Sequence, residues 1–346
     1  MKKAQDLVPL FKQFIRDSEN GKRLKKNGER IKSSSIESYY YVLKNLIQFG
    51  VEANFELRVC SILKMNAREL KSEKNYWKKF YKSFTEFMYK KGCFDNYVGN
   101  NIKIIRVFFN WLKEEKDIYT GDFHKKFYVR KEQIDILVLS PERLKFLIHD
   151  KEFEKKLTAT QIKLKDVFVF GCTTGLRFSD MFALTSKNFE QTNEDWYLKI
   201  KSQKTKTYSF IKLPNYAAEI YLKNKPSKST IPVFGEKWLS NFNRSLKRMG
   251  EIAGWTETVE ISREKLGQAK KVSTKKGKER FCDNISSHMM RRTAITTMLI
   301  LGMPELLVRK ISGHSSNSAS FHRYVHYAQV YMDKEIEKVH KKLESY

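Results

Sequence analysis

Apolar residues recur at helical spacing through the first third of the chain. Ile36, Tyr39, Tyr40, Leu43, Leu46 and Ile47 fall three and four residues apart, which gives one helix face an apolar stripe. Trp77, Phe80, Phe84, Phe87 and Met88 repeat the pattern, and Ile102, Ile105, Phe109 and Leu112 repeat it again. Ser34 followed by Glu37 reads as a capping box for the first of these helices, and Gly92 as a left-handed stop for the second. Aromatic stripes at this spacing are packing surfaces more often than stacking platforms, so they are assigned to a core. Lys78, Lys79, Lys90 and Lys91 then face outward. Residues 1–125 read as one helical domain.

Helical periodicity lapses between 119 and 139, a mixed-charge stretch containing Lys125, Lys126, Arg130 and Lys131, and 126–139 is read as a linker. A second domain, 140–346, opens on Ser140, Pro141 and Glu142: an N-cap, a first-turn proline and a first-turn acid ahead of Leu144, Leu147 and Ile148. An apolar helix is predicted around 167–172. Residues 196–201 and 207–213 favour strands, with a polar turn at 202–206 between them. From Ser287 onward the pattern is helical, with breaks near Gly302 and Gly313. The fold class is mainly α with a small β-hairpin or sheet: a helical domain followed by an α+β domain.

Charge changes this picture. Lys and Arg number 67 against 39 acidic residues, a formal net charge of +28. Such an excess suits a polyanion, with nucleic acid foremost, and binding that weakens steeply with salt. Lys270, Lys271, Lys275, Lys276 and Lys278 form a segment too polar to pack, either a disordered loop or a basic finger laid on DNA. The predicted linker would cross the duplex. No apolar run approaches the ~18 residues of a membrane span, and residues 1–17 lack a signal-peptide core, so a cytoplasmic protein without membrane partners is expected. Cys60, Cys93, Cys172 and Cys282 stand singly and read as reduced thiols rather than a metal or disulfide set.

Three distant segments carry candidate chemistry. In Thr174-Gly175-Leu176-Arg177-Phe178-Ser179-Asp180 a glycine turn presents an arginine, with Asp180 placed to brace it. In Ser287-His288-Met289-Met290-Arg291-Arg292, His288 and Arg291 share a helix face. Ser312-Gly313-His314 is followed ten residues after the histidine by Tyr324. Planar guanidinium groups match the nonbridging oxygens of a transferring phosphoryl group, which points to Arg177 and Arg291. A tyrosine, with an ordinary pKa of about 10, needs a cationic field or a base to attack at neutral pH. His288 suits proton transfer, His314 a hydrogen bond to phosphate, and Lys204, on the polar turn, protonation of a leaving 5′-hydroxyl.

In this order the motifs resemble the tyrosine recombinase (phage integrase) family, whose signature is an arginine, a hairpin lysine, a His-x-x-Arg pair, a Gly-His and a tyrosine. Arg177, Lys204, His288, Arg291, His314 and Tyr324 fill the six roles. The helical first half is similar to the family's core-binding (SAM-like) domain, so the likeness covers nearly the whole chain. The surroundings of His288 and the basic insert before it resemble integrases of Bacteroidetes mobile elements. The resemblance implies site-specific cutting and rejoining of double-stranded DNA through a covalent 3′-phosphotyrosyl bond, with neither ATP, metal nor another cofactor. It also implies a homo-tetramer on a synapsed pair of sites, linked by a last helix carrying Tyr331, Met332, Ile336, Val339 and Leu343. Tyr324 stands one residue further from His314 than is usual, so Tyr327 and Tyr331 are rivals, and Lys206 and Lys201 compete with Lys204. The chain has no room for an additional arm-binding domain, which suggests recognition of core sites alone. A catalytically silent DNA-binding relative and a type IB topoisomerase-like activity are the alternative functions.

Overall fold

The computed structural model describes residues 4–134, 136–202, 208–235, 239–271, 280–315 and 318–344. It divides into two compact units, Met1–Ile134 with Ser262–Val272, and Asp135–Ile261 with Ser273–Tyr346.

The first unit is built on helices α1 (Leu7–Glu19), α2 (Ser33–Glu52), α3 (Ala67–Lys90) and α4 (Asp95–Glu115). Their apolar faces meet in an aromatic core that includes Phe11, Phe14, Phe49, Phe80, Phe84, Phe108 and Phe109. Rings pack edge to face, as Trp77 does on Phe109 at 4.8 Å, the arrangement the ring quadrupole favours. The predicted aromatic stripes are therefore core. The predicted Ser34 cap is not: α2 begins at Ser33 behind Lys32, which makes no side-chain cap, and the Ser34 carbonyl already accepts a helical-turn bond from the Ser38 hydroxyl. In a run of three serines, composition alone could not choose the boundary. Gly92 does follow the end of α3, at φ +82°.

Residues after 119 are less linker-like than their composition suggests. A single 3-10 turn, Phe123–Lys126, stacks His124 on Phe109, and Phe127 joins the core. A second departure is the 262–271 hairpin, which lies within the second half of the sequence yet belongs to the first unit. Charge rather than apolar burial holds it. Glu132, its side chain fully enclosed, accepts from Arg263 Nη2 at 2.6 Å, Arg263 Nε at 3.0 Å and the Glu264 N–H at 2.7 Å. Asp95 accepts the successive N–H groups of Leu266 and Gly267 at 2.9 and 2.7 Å, at a turn where both residues have positive φ. Lys270 and Lys271 are exposed on its second strand. Lys275, Lys276 and Lys278 lie outside the described residues.

In the second unit, α5 (Pro141–His149) starts as its sequence indicates, with the Ser140 hydroxyl accepting from Arg143 N and Pro141 in the first turn. Helix α6 (Lys151–Lys155) leads into α7 (Ala159–Thr174), which is buried on nearly all sides and forms the centre of the unit. After a short helix α8 (Phe178–Met181) comes an antiparallel sheet of β3 (Phe189–Thr192), β4 (Asp195–Lys201) and β5 (Tyr208–Leu213). The predicted strand pair is present in register, Lys201 opposite Tyr208 and Leu198 opposite Ile211. Strand β3 adds an edge that four mostly exposed residues do not announce. Helices α9 (Asn215–Asn224) and α10 (Leu239–Ile252) cover the core, and α11 (Ser287–Ile300), α12 (Glu305–Ser312) and α13 (Ala319–Glu344) complete it. Helices α7 and α11 touch where Gly171 leaves no side chain: a Cβ there would stand 2.5 Å from Met290 Sδ. Among the described residues no helix is long and apolar enough to cross a membrane.

Candidate active site

Two helix ends and one helix face, all in the second unit, assemble the site. Helix α7 stops at Gly175, whose φ of +66° is a conformation that side chains with a Cβ resist. The chain reverses, buries Leu176, and presents Arg177 as the residue capping α8. Helix α12 stops in the same way at Gly313, φ +63°, and the next residue, His314, is turned back so that its N–H bonds the Arg309 carbonyl. Both glycine turns serve the same end: they project a functional side chain from a rigid helix terminus.

Arg291 on α11 joins the two turns. Only 7% exposed, it donates from Nη1 to the Gly175 carbonyl at 2.8 Å and from Nη2 to the Ser312 carbonyl at 2.5 Å, and lies 3.3 Å from His314 Nδ1. Burial and then the neighbouring Arg177 bring its pKa down to about 10, while Tyr324 and Asp180 act to raise it. The guanidinium is thus a charge held in a poorly hydrated place, with no carboxylate hydrogen-bonded to it among the described residues.

His314 is depressed further, to about 4, by burial and by Arg291, Arg177 and Arg309, so it is neutral at physiological pH. The Ser312 hydroxyl gives its proton to the Val308 carbonyl at 2.7 Å and lies 2.8 Å from His314 Nδ1, so the histidine ring is held between this serine and the Arg291 guanidinium. Tyr324, 6% exposed, packs in a small cluster with Ile295, Val308 and Phe321, its ring 5.9 Å from that of His314. Its phenol acts electrostatically on both Arg291 and Arg292.

The rival tyrosines face elsewhere. Tyr331 donates to Glu142 at 2.8 Å, and Tyr327 feels Arg143 and Glu142, so both turn toward α5 rather than the arginines. Burial and the Glu142 carboxylate push Tyr331 up to about 12, further from a phenolate. His288 sits exposed on the first turn of α11, one turn from the buried Arg291. Asp180 is buried and accepts the Ser202 hydroxyl at 3.0 Å, while Ser202 accepts from Arg177 Nη1 at 2.7 Å. Lys204 and its rival Lys206 lie outside the described residues, and Lys201 ends β4 with its ammonium over the Tyr208 ring.

Three residues of this site escaped sequence reading. Arg292, half-buried beside Tyr324, was hidden behind Arg291, although it follows His288 by one helical turn. Arg309 braces the histidine turn: it pairs with Glu305 at 2.6 Å, donates to the Ser315 carbonyl at 2.9 Å and covers the Phe321 ring. Ser209 on β5 donates to the Ile311 carbonyl at 2.9 Å and so ties the sheet to the end of α12. A serine in a strand carries no signal that it has such a partner.

Comparison with known proteins places this geometry. The model of the phage integrase family matches residues 138–330. No curated protein sequence matches the chain significantly. Among solved structures, the integrase of transposon Tn1549 in complex with transposon right-end DNA has a TM-score of 0.55 at 16% identity, covering 95% of this chain and 99% of that one. The XerH site-specific recombinase in a post-cleavage complex with palindromic difH substrate gives 0.60 at 15% identity, covering 92% and 91%. The lambda integrase dimer on a COC′ core site gives 0.57 at 12%, covering 93% and 77%. At these identities the likeness is one of fold, and the family match spans more than half the chain. The chain belongs to the phage integrase family and has the fold of the tyrosine recombinases.

Proposed function

We propose that this tyrosine recombinase cuts and rejoins double-stranded DNA at specific sites, with Tyr324 attacking the scissile phosphate to form a 3′-phosphotyrosyl bond and release a 5′-hydroxyl. One observation carries the reading: Arg291 bonds at once to the Arg177 turn and the His314 turn, with the Tyr324 phenol in its field.

Arg177 and Arg291 would take the nonbridging oxygens, where charge grows in the transition state. Tyr324 gives up its phenolic proton as it attacks. His314 offers a neutral ring nitrogen to that proton, and an incoming phosphate raises its proton affinity by adding negative charge beside it. His288, at the rim, suits exchange of the proton with water, and Lys204 protonates the departing 5′-oxygen. The phosphotyrosyl ester keeps the energy of the broken phosphodiester, so a 5′-hydroxyl attacking it restores the DNA backbone. This scheme calls for no nucleotide and no metal.

The first unit, with a core closed by its own aromatic rings and lysines outside, would grip the duplex, and Lys270 and Lys271 add phosphate contacts. Phe321 and Tyr324 pack α13 on its own unit and Tyr331 adds a bond to Glu142 of α5; Ile336, 54% exposed, would dock on a neighbouring copy and link a homo-tetramer on two synapsed sites. The place of action is the cytoplasm, where the DNA is. Nicked duplexes tiling the DNA that flanks the gene provide the test: one should trap a covalent adduct, lost in Tyr324→Phe with binding retained. Binding without an adduct on every duplex would instead identify a silent DNA-binding relative. Relaxation of plasmids lacking any such site would identify a topoisomerase-like activity.

A further inference from the structure

Among the described residues, the hydrogen bonds that link the Arg177 side chain to its bracing acid run through a third residue. Arg177 and Asp180 are 3.9 Å apart at their nearest nitrogen and oxygen, beyond hydrogen-bond reach. Ser202 fills the gap, accepting from Arg177 Nη1 at 2.7 Å and donating to Asp180 Oδ2 at 3.0 Å. The serine and the aspartate are buried, at 7% and 2% exposure. A hydroxyl has one proton, and here it is committed to the carboxylate, so its lone pair faces the guanidinium. Ser202 stands at the end of β4, two residues before Lys204 in sequence.

We infer that Ser202 is a positioning residue for strand cleavage: it fixes one edge of the Arg177 guanidinium while holding Asp180 off it. A direct, two-pronged Arg177–Asp180 pair would occupy the donor fork and neutralise the charge that phosphate needs. With the hydroxyl interposed, Arg177 donates one N–H within the site among the described residues, which leaves the other donors of the fork for the nonbridging oxygens. Asp180 polarises the hydroxyl without touching the arginine, which makes the link charge-assisted at one end.

This inference rests on the recombinase reading, and the test separates the two. Adduct formation is measured on a trapping duplex with wild type, Ser202→Ala and Ser202→Thr, with DNA binding read in parallel. Ser202→Ala should form the adduct about 10- to 100-fold more slowly, the range for losing a charge-assisted hydrogen bond. Binding should be unchanged, and Ser202→Thr, which keeps the hydroxyl, should recover most of the rate. The decisive comparison uses the two methylphosphonate diastereomers of the scissile phosphate. Both diastereomers are uncharged, but where methyl replaces the oxygen that meets Arg177 no acceptor faces the guanidinium, so the gap between wild type and Ser202→Ala should shrink to about threefold or less for that one diastereomer. Should Ser202→Ala unfold under assay conditions, Asp180→Asn reads the same relay, since it keeps an oxygen for the hydroxyl and loses the charge. A Ser202→Ala enzyme as fast as wild type overturns the inference. So does an equal defect on phosphate and on both methylphosphonates, which would make the serine merely structural. No adduct with wild type sinks the recombinase reading, and this inference falls with it.

Discussion

Replacing Arg291 separates its two jobs, binding phosphate and joining two helix ends. Burial, and then Arg177, bring its pKa down to about 10, so at neutral pH both folded and unfolded chains keep the proton and the folded state bears a cost of about 3 kcal/mol. Against this stand two buried carbonyls, of Gly175 and Ser312, each left without its donor at about 1–3 kcal/mol. Arg291→Met, similar in length and uncharged, relieves the first and incurs the second, for a net change between roughly −1 and +3 kcal/mol. Arg291→Lys keeps the charge but cannot span both carbonyls, and should lose about 1–3 kcal/mol. The chemically conservative variant should thus hold an advantage of at most about 2 kcal/mol over the apolar one, while both lose cleavage by a factor of at least ~100. Thermal unfolding at pH 7.5 reads this, at about 2–4 °C per kcal/mol for a unit of this size. Orthovanadate, a phosphoryl mimic, should raise the wild-type midpoint and leave that of Arg291→Met unmoved. A wild-type-like Lys variant beside a Met variant that loses more than about 5 kcal/mol would refute the reasoning and make Arg291 chiefly a structural cross-link.

Three further outcomes follow from the same geometry. His314 is held neutral in the folded chain down to about pH 4, whereas an unfolded histidine takes its proton near pH 6.5, so wild type should lose stability as pH falls through that window. His314→Asn has no such proton to refuse, and the midpoint difference between the two proteins should change steadily in its favour from pH 7 to pH 5; a constant difference would show that the histidine is not held neutral. Gly171→Ala drives a Cβ against Met290 and should lower stability by about 1–3 kcal/mol and slow adduct formation, because Arg291 is the next residue; an unchanged melting curve would contradict the close approach of α7 and α11. On a duplex with sulfur at the leaving 5′ position, which departs without a proton, the cleavage defect of Lys204→Ala should vanish. Rescue of Lys206→Ala instead would move the acid by two residues.

The helical stripes of the first unit were legible because an aromatic every three or four residues leaves few other uses for itself. Gly175 and Gly313 were legible as breaks, but not as matched devices, because only their φ values reveal that each reverses the chain just before a candidate side chain, Arg177 or His314. The charged ties were invisible: Glu132 holding Arg263 spans 131 residues, and Ser202 bridging Arg177 and Asp180 spans 22 and 25. Periodicity reports which residues share a face, and it carries no information on a polar pair whose members lie on different elements. It missed the 262–271 hairpin, whose last lysines, Lys270 and Lys271, begin the segment read as too polar to pack, and which carboxylates dock. For the same reason Arg292, Arg309 and Ser209 joined the site only when the helices were in place. Nor does periodicity tell which way each of the rival tyrosines faces along one helix: the Tyr324 phenol acts on Arg291, while Tyr331 bonds Glu142.

The attachment point of the DNA tests the central claim most directly. Adduct trapped on a nicked duplex, digested with protease and nuclease and sequenced by mass spectrometry, should carry its residual nucleotide on the peptide bearing Phe321, His322, Arg323 and Tyr324, with fragment ions placing it on the Tyr324 phenol. A nucleotide on Tyr327 or Tyr331, or on any residue outside α13, would contradict the account.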